Sequence, residues 1–383
     1  MKINDFKLER YFAIHEFSAK YLMSCSDCDG FSMDYILSKA NEEELALWNN
    51  LSLGYTESTG HPELKKAILH HYNDLEWQSQ KTKELSAENI VVASPGELAF
   101  ALMNTLLEAK DHAIVISPSY QSLYETILTI GAEVSFWEPN KEDWSFSVED
   151  LKKLIKTNTK LIVINFPHNP TGAYLQEKDY LEIIKLAREN GVYIYSDEMY
   201  YKLNYNKDYP TLPPIASVYE KGISLWGMAK SFGMAGLRIG WLASQDTEIL
   251  RKIVSFKDYL SMCPSAPSEI LSIIALKHSD IFINHNIEKI KKNISIFQDF
   301  LQSEDPANKT FLKFTQPKAG SVAFVKIDNA KQSSLEFSNT LVKSTGIMTV
   351  PSEMFDYASG YLRIGFGREN FQEVLEVFKT YQP

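Results

Sequence analysis

A lysine surrounded by small and apolar residues is the first candidate for chemistry in this sequence. Lys230 lies in the stretch GMAKSFGMAGLRIGW, residues 227–241. Such neighbours disfavour the charged ammonium, and only the neutral amine can attack an aldehyde to form a Schiff base. Arg238 lies in the same stretch, and its planar guanidinium suits a phosphate group. The stretch indicates a nucleophilic amine beside an anion site; a solvated lysine and a surface ion pair are the alternatives.

A carboxylate and a phenol follow the apolar run 192–195. Asp197 opens the sequence DEMY, and Tyr200 closes it. A carboxylate at the carboxyl end of a strand can pair with a protonated ring nitrogen and keep it protonated. Tyr200 would bring a phenol to the same ring. The alternative for Asp197 is the N-cap of a helix.

Three further motifs contain residues that could contact a ligand. Asn169 opens NPTG, which is also ordinary turn chemistry. Gly96 and Glu97 precede a helical stretch, where free backbone amides can bind an anion or simply begin a helix. Tyr120 follows SPS and offers an aromatic ring for stacking, or a core side chain.

Short apolar runs precede most of these motifs. Nearly continuous runs of this length are typical of strands that are covered on both faces, as in a parallel sheet. The runs are residues 90–93, 113–116, 161–164, 192–195 and 223–226. Helical periodicity separates them, for example over residues 177–189. This alternation predicts an α/β fold whose ligand lies beyond the carboxyl ends of the strands.

The sequence changes character after about residue 265. Residues 268–305 have helical periodicity, and β-like segments follow at 323–327 and 361–366. This pattern predicts a second, smaller α+β domain. We therefore expect a large domain over residues 45–265, and a small domain formed by residues 1–44 and 266–383.

Composition excludes several classes of function. The formal net charge of -10 argues against nucleic-acid partners, and no apolar run approaches the roughly 20 residues that span a bilayer. The three cysteines indicate a reducing compartment, and we expect the cytoplasm. Cys25 and Cys28 have metal-ligand spacing, but no second pair completes a zinc site, so no metal is expected. A nicotinamide dehydrogenase would need a G-x-G-x-x-G turn, which is absent from the sequence.

Together, in this order, the motifs resemble the fold-type I pyridoxal phosphate (PLP) enzymes of the class I/II aminotransferase family. The resemblance extends from about Leu53 to Phe366. It implies an aspartate aminotransferase-like fold, with a mainly parallel seven-stranded sheet in the large domain. It also implies a homodimer with shared active sites, and amino acids and 2-oxo acids as substrates.

The resemblance also implies roles for individual residues. Lys230 matches the family's Schiff-base lysine, and Asp197 matches the partner of the pyridine nitrogen. Tyr200 and Asn169 match the partners of the phenolic oxygen of the ring. The remaining cofactor contacts are a stacking aromatic and a phosphate site, matched by Tyr120 and by Gly96, Glu97 and Arg238.

Two matches concern the neighbouring subunit and the substrate, and one position departs from the family. Tyr55 matches a tyrosine that reaches the phosphate of the neighbouring subunit, and Arg363 matches the arginine that binds the substrate α-carboxylate through both of its oxygens. Where the family usually has a serine, this sequence has Gly227. The phosphate site then has one hydroxyl fewer, or another hydroxyl, such as that of Ser231, replaces it.

The N-terminal stretch, residues 8–29, is similar to that of capreomycidine synthase and related arginine-processing PLP enzymes. In those enzymes acidic side chains hold a guanidinium, and the candidates here are Glu16, Asp27 and Asp29; solvated or capping acids are the alternative. We expect a PLP-dependent aminotransferase that moves an amino group between an L-amino acid and a 2-oxo acid through Lys230. The alternative is a PLP-dependent cyclase or oxidase that acts on arginine or a hydroxyarginine.

Overall fold

The computed structural model of the protein describes residues 2–73, 83–303, 311–328 and 332–381. The strands in these residues are β1 (Tyr21–Leu22), β2 (Ile90–Ala93), β3 (His112–Ile116), β4 (Glu133–Trp137), β5 (Thr159–Asn165), β6 (Tyr193–Asp197), β7 (Gly222–Gly227), β8 (Gly240–Ser244), β9 (Leu312–Lys313), β10 (Val322–Ile327), β11 (Ile347–Met348), β12 (Val350–Pro351) and β13 (Tyr361–Gly365).

The helices in the same residues are α1 (Lys7–His15), α2 (Met33–Leu37), α3 (Glu42–Asn49), α4 (Pro62–Asn73), α5 (Pro95–Leu106), α6 (Glu125–Ile130), α7 (Val148–Leu154), α8 (Glu177–Asn190), α9 (Ile215–Val218), α10 (Thr247–Lys257), α11 (Ala266–Lys277), α12 (Ser279–Gln302), α13 (Ser334–Thr345) and α14 (Phe371–Lys379). None of these helices has the combination of length and apolar character needed to cross a membrane.

The larger sheet has seven strands in the order β2-β8-β7-β6-β5-β3-β4. Only β8 runs antiparallel to its neighbours. Successive residues of β3 and β5 belong alternately to two hydrophobic cores, so both faces of the sheet are buried. This burial explains the continuous apolar runs. The predicted α/β fold with a mainly parallel seven-stranded sheet is confirmed.

Two strands of this sheet were not among the predicted apolar runs. The edge strand β4 is partly exposed, so its sequence mixes polar and apolar residues. β8 begins at Gly240, inside the glycine-rich stretch 227–241 that we interpreted only as ligand-binding sequence. Its partner β7 approaches closely, because Gly227 pairs with Gly240. A Cβ atom at Gly227 would lie 2.8 Å from the Ile239 carbonyl oxygen.

The parallel strands bring their carboxyl ends to one edge of the sheet. Asn165, the last residue of β5, pairs with Asp197, the last residue of β6. Asp197 pairs in turn with Leu225 of β7, and Lys230 follows that strand by a few residues. The register of the sheet therefore places the predicted carboxylate near the predicted lysine.

A second, smaller sheet has four antiparallel strands in the order β12-β13-β10-β9. The predicted helical region 268–305 is two helices, α11 and α12, which are separated at His278; residues 304 and 305 lie outside the described residues. The N-terminal part of the chain contacts the C-terminal part, because β1 pairs with β11. The division into domains at residues 44/45 and 265/266 stays a prediction.

Residues 23–29 lie directly against the end of β13. The Gly365 amide donates to the Met23 carbonyl oxygen at 2.9 Å, and the Asp29 amide donates to the Gly367 carbonyl oxygen at 3.1 Å. A Cβ atom at Gly365 would lie 1.6 Å from the Cys25 carbonyl oxygen. Only glycine permits this approach. The two glycines thereby hold an N-terminal segment at the edge of the site described next.

Candidate active site

Lys230 follows β7 and is half-buried. Its Nζ donates a hydrogen bond to the Ser26 hydroxyl oxygen at 2.8 Å. Ser26 belongs to the N-terminal segment that lies against β13, and it was not among the predicted site residues. The candidate nucleophile is therefore held between the sheet and the N-terminal segment.

Asp197 lies at the carboxyl end of β6, and a turn follows it rather than a helix. The alternative interpretation of Asp197 as a helix N-cap is therefore wrong. Its Oδ1 accepts the Met199 amide at 3.1 Å, and its Oδ2 has no hydrogen-bond partner in the described part of the chain. Burial raises the pKa of Asp197 to about 6, although the Met199 amide and the Lys230 charge oppose the increase. A cationic partner for Oδ2 would favour the ionised carboxylate.

Arg363 is a buried guanidinium on β13, with 1% of its surface exposed. Its Nε and Nη2 donate to the Ser24 carbonyl oxygen at 3.2 and 2.9 Å, and its Nη1 donates to Asn169 Oδ1 at 3.2 Å. The rings of Phe12 and Phe355 lie 5.8 and 5.5 Å from the guanidinium carbon. These neutral contacts orient the cation without neutralising it, so it can still bind an anion.

Tyr120 has an unexpected partner on the first helix. Its hydroxyl donates to Glu9 Oε1 at 2.6 Å, and the Phe6 ring lies 4.8 Å from its own ring. Burial and the Glu9 carboxylate raise the pKa of Tyr120. The buried phenol of Tyr200 influences the pKa values of both Tyr120 and Arg363, which indicates that these three side chains lie close together.

A candidate phosphate site lies at the start of α5. Space is open around Gly96, where an added Cβ atom would meet nothing within 4 Å. The exposed Arg238 donates from Nη2 to the Ser94 hydroxyl oxygen at 3.4 Å. Glu97 Oε1 accepts a hydrogen bond from the Ser261 hydroxyl at 2.6 Å. Helix amides, a guanidinium and a hydroxyl are the donors that a phosphate requires.

Of the alternatives left open for the missing serine, replacement by the Ser231 hydroxyl does not agree with the structure. Ser231 is fully buried, and its hydroxyl donates to the carbonyl oxygens of Met199 and Tyr201. Its function is to connect the chain after β6 with the chain after β7. The hydroxyl that lies beside Arg238 belongs to Ser94. Ser94 is far from Lys230 in the sequence, so its position gave no signal for this contact.

The three N-terminal acids have different surroundings. Asp29 is bound by Lys289 at 3.1 Å, by Arg368 at 3.3 Å and by the Glu369 amide at 2.8 Å, so its contacts are structural. Asp27 forms an ion pair with Arg368 at 3.4 Å and remains partly exposed. Burial, followed by the carboxylates of Asp27 and Glu9, raises the pKa of Glu16.

Tyr55 lies outside this group of side chains. Its side chain is 88% exposed, and Leu53 nearby is 83% exposed. Both lie on the segment between α3 and α4, where Tyr55, Glu57 and Glu269 line a groove of about 460 Å³. The structure does not bring Tyr55 to Lys230 of the same chain.

Comparison with known proteins is decisive for the family. The model of the family "Aminotransferase class I and II" matches residues 20–378. The chain belongs to the class I and II aminotransferases. The enzymes of this family that it resembles in sequence and structure depend on PLP, and PLP is its cofactor.

Two aminotransferases and capreomycidine synthase are among the proteins similar to the chain in sequence or structure. Aromatic-amino-acid aminotransferase 2 of Thermococcus litoralis is 29% identical over 280 residues, which cover 71% of this chain and 70% of the relative. Capreomycidine synthase of Streptomyces vinaceus is 27% identical over 258 residues, with coverage of 67% and 64%. The crystal structure of a PLP-dependent aminotransferase from Streptococcus suis has a TM-score of 0.87 at 28% identity, with coverage of 99% and 96%.

The residues of this aminotransferase site fit PLP chemically. Lys230 offers an amine for the aldehyde, and the free Asp197 Oδ2 offers a carboxylate for the ring nitrogen. The open space at Gly96 and the donors of Ser94 and Arg238 could receive the phosphate. The polar groups of the site therefore match the groups that the cofactor carries.

Proposed function

We propose that the protein catalyses transamination between an L-amino acid and a 2-oxo acid, with Lys230 as the catalytic residue. One observation carries the proposal: a single short segment forms hydrogen bonds both with Lys230, which supplies the amine, and with Arg363, which would bind the substrate carboxylate. Ser24 accepts hydrogen bonds from Arg363, and Ser26, two residues later, accepts one from Lys230. An amino acid whose carboxylate binds Arg363 would have its α-carbon directed towards Lys230.

Bound PLP supplies the electron sink that makes the α-proton of an amino acid acidic. The side chains of this chain control binding and the proton. Arg363 binds the α-carboxylate through its guanidinium fork. Lys230 Nζ would take the proton from the α-carbon as general base and deliver it to the carbon atom that the cofactor's aldehyde contributes. Asp197 supplies the negative charge that keeps the ring nitrogen protonated.

The remaining cofactor contacts are part of the same proposal. Tyr120 supplies the stacking ring, and Tyr200 and Asn169 contact the phenolic oxygen. Gly96 and Arg238 contact the phosphate, while Glu97 orients the first turn of α5 through Ser261. We assign Ser94 to the phosphate as well, because its hydroxyl already lies beside Arg238.

We also propose a cytoplasmic homodimer with shared sites. Tyr55 supports this assembly together with Leu53, because two large apolar side chains exposed to 88% and 83% on one short segment are typical of an interaction surface. In the dimer its hydroxyl would reach the phosphate of the neighbouring subunit. The three free cysteines of the chain support a reducing compartment.

A second function is a cyclase or oxidase reaction of arginine or a hydroxyarginine. The specific observation that favours it is the group of carboxylates from Glu9, Glu16 and Asp27. The pKa of Glu16 is raised by its burial and then by the other two carboxylates, while Arg368, which pairs with Asp27, and Lys230 oppose that increase only in part. A guanidinium bound there would relieve the repulsion among them. The relative capreomycidine synthase supports the same alternative.

Single-turnover chemistry without oxygen tests the proposal. PLP-saturated protein would be mixed under nitrogen with one amino acid at a time, arginine included, and the released 2-oxo acid would be measured. Transamination predicts one equivalent of 2-oxo acid per subunit, and repeated turnover after an acceptor oxo acid is added. A cyclic product, or oxygen consumption in air with arginine alone, would favour the second function. The transamination proposal is wrong if no amino acid releases its oxo acid.

A further inference from the structure

Glu198 is a buried acid for which the proposed reaction has no use. It follows Asp197 directly and is 5% exposed. Its Oε1 accepts the Ile215 amide at 2.9 Å and the Ser224 hydroxyl at 3.0 Å. Its Oε2 is buried and has no hydrogen-bond partner in the described residues. An unpaired oxygen of a buried carboxyl group requires an explanation.

A small cavity lies beside Glu198. Its volume is about 20 Å³, and its lining includes Glu198, Ser196 and Tyr201. The Tyr201 hydroxyl is also buried and has no partner among the described residues. A water molecule needs about 10–15 Å³ and two or more polar partners. The cavity therefore has the size and the polar groups for one water molecule.

The surroundings of Glu198 contain no cation among the groups that interact with it in the described part of the chain. They are the adjacent residue Asp197, the hydroxyl groups of Ser196 and Ser224, which favour the ionised carboxyl group but do not offset its burial, and phenols from several packed elements: Tyr72, Tyr174, Tyr180, Tyr195 and Tyr201. A carboxylate without a cation in such surroundings is costly, whereas a protonated carboxyl group can donate a hydrogen bond.

We propose that Glu198 is a neutral carboxylic acid that donates a hydrogen bond from Oε2 to a water molecule shared with Tyr201. It acts as a positioning residue: its neutrality leaves Asp197 as the single negative charge offered to the ring nitrogen of the cofactor. This second role rests on the function proposed for Asp197. The neutral acid and the water site do not, and they can be tested without cofactor.

The acid–base behaviour of Glu198 gives the first test. Burial raises the pKa of Glu198 from 4.5 to about 8. The folded protein therefore retains a proton that the unfolded chain has lost between these pH values, so this group's contribution to stability falls as pH rises from 4.5 to 8. Glu198→Gln keeps the shape and removes the titration. Its urea midpoint should rise relative to the wild type as pH increases across this window, and the difference should be constant above it.

Glu149→Gln, on the exposed surface of α7, is the matched control, because it makes the same substitution away from the buried cavity. A Glu198→Gln difference that is constant from pH 4.5 to 8 would overturn the proposal. So would a difference that falls as the pH rises.

Infrared spectroscopy of the cofactor-free wild type, with isotopically labelled glutamate, is a second test that requires no folded variant. At pH 7 it should show the carbonyl band of a protonated buried glutamic acid, which disappears well above pH 8. Tyr201→Phe, which removes one partner of the water, should shift the frequency of this band. Absence of a protonated glutamate band at pH 7 would contradict the proposal.

The influence on Asp197 is tested with PLP bound. The pH midpoint of the cofactor's absorbance change should be the same in Glu198→Gln and the wild type, because one neutral group replaces another. A shifted midpoint would mean that Glu198 carries charge beside Asp197. The midpoint could be unchanged and the predicted infrared band present while no amino acid releases its oxo acid. In that case Glu198 is still a neutral acid, and only the proposed transamination is wrong.

Discussion

The carboxyl edge of the large sheet and the N-terminal wall, which we define as residues 9–29, contribute differently to the site. The sheet edge presents Asp197 and Lys230, each just after a strand whose position is fixed by two buried faces. The wall presents Glu9, Glu16 and Ser26 from a helix and a loop. We therefore expect general PLP chemistry to depend on the sheet edge, and we propose that the wall selects the substrate.

The largest expected effect is at the sheet edge. Asp197→Asn removes the charge for the ring nitrogen, and we expect kcat/KM to fall by roughly 10²–10³-fold, the usual loss when a preorganised electrostatic group is removed. Because the pKa of Asp197 is about 6 without cofactor, PLP affinity of the wild type should also weaken as pH falls below 6. Steady-state kinetics and PLP titrations from pH 5 to 8 measure both. If the Asn variant had the kcat/KM of the wild type, the charge of Asp197 would not be needed for catalysis.

A smaller effect is expected at the contact between the two regions. Arg363→Lys keeps the charge but loses the planar fork, so we expect KM for the amino acid to rise by roughly 10–100-fold with a smaller change in kcat. Arg238→Lys is the matched control, and it should alter PLP affinity instead. Equal effects of the two variants on PLP affinity, with KM unchanged in both, would show that Arg363 does not bind the substrate carboxylate.

The next effect sharpens the comparison, because it concerns the wall alone. Glu16→Gln should weaken binding of arginine by about 10-fold, as expected for the loss of one charge-assisted hydrogen bond, and leave alanine unaffected. Asp29→Asn is unsuitable as a control, since Lys289 binds this residue and its loss would disturb the fold. Isothermal titration with both amino acids gives the comparison. If Glu16→Gln weakened the binding of arginine and alanine equally, the wall would not select the substrate.

The smallest effect concerns the hydrogen bond between the wall and the cofactor site. Tyr120→Phe and Glu9→Gln should each change kcat/KM only a few-fold, because a typical hydrogen bond contributes about 1 kcal/mol. Their double variant should lose little more than either single variant, since both remove one interaction. Fully additive losses would mean that Glu9 and Tyr120 act independently.

The sequence predicted the sheet edge far better than the wall, and the reason is physical. Asp197 and Lys230 follow strands whose apolar runs are visible locally, so their convergence follows from the parallel sheet. The partners on the wall have no local signal: Ser26 is 204 residues from Lys230, and Ser24 is 339 residues from Arg363.

The hydroxyl groups near Lys230 and Arg238 show the same limit of the sequence. Ser231 is only one residue from Lys230, but its side chain points to the carbonyl groups of Met199 and Tyr201 instead of the phosphate site. Ser94, which does contact Arg238, is 144 residues away from it. The position of a residue in the sequence predicted which strand it follows. What its side chain binds depends on residues that are distant in the sequence, and the sequence does not show these contacts.

The most direct test of the central claim is to identify the residue that binds the cofactor covalently. PLP-saturated protein would be reduced with borohydride, digested and analysed by mass spectrometry, with Lys230→Ala and Lys257→Ala treated in parallel. We predict a single modified peptide labelled at Lys230, retained in Lys257→Ala and absent from Lys230→Ala. A label on another lysine, or no label at all, would contradict the assignment of Lys230 and the function built on it.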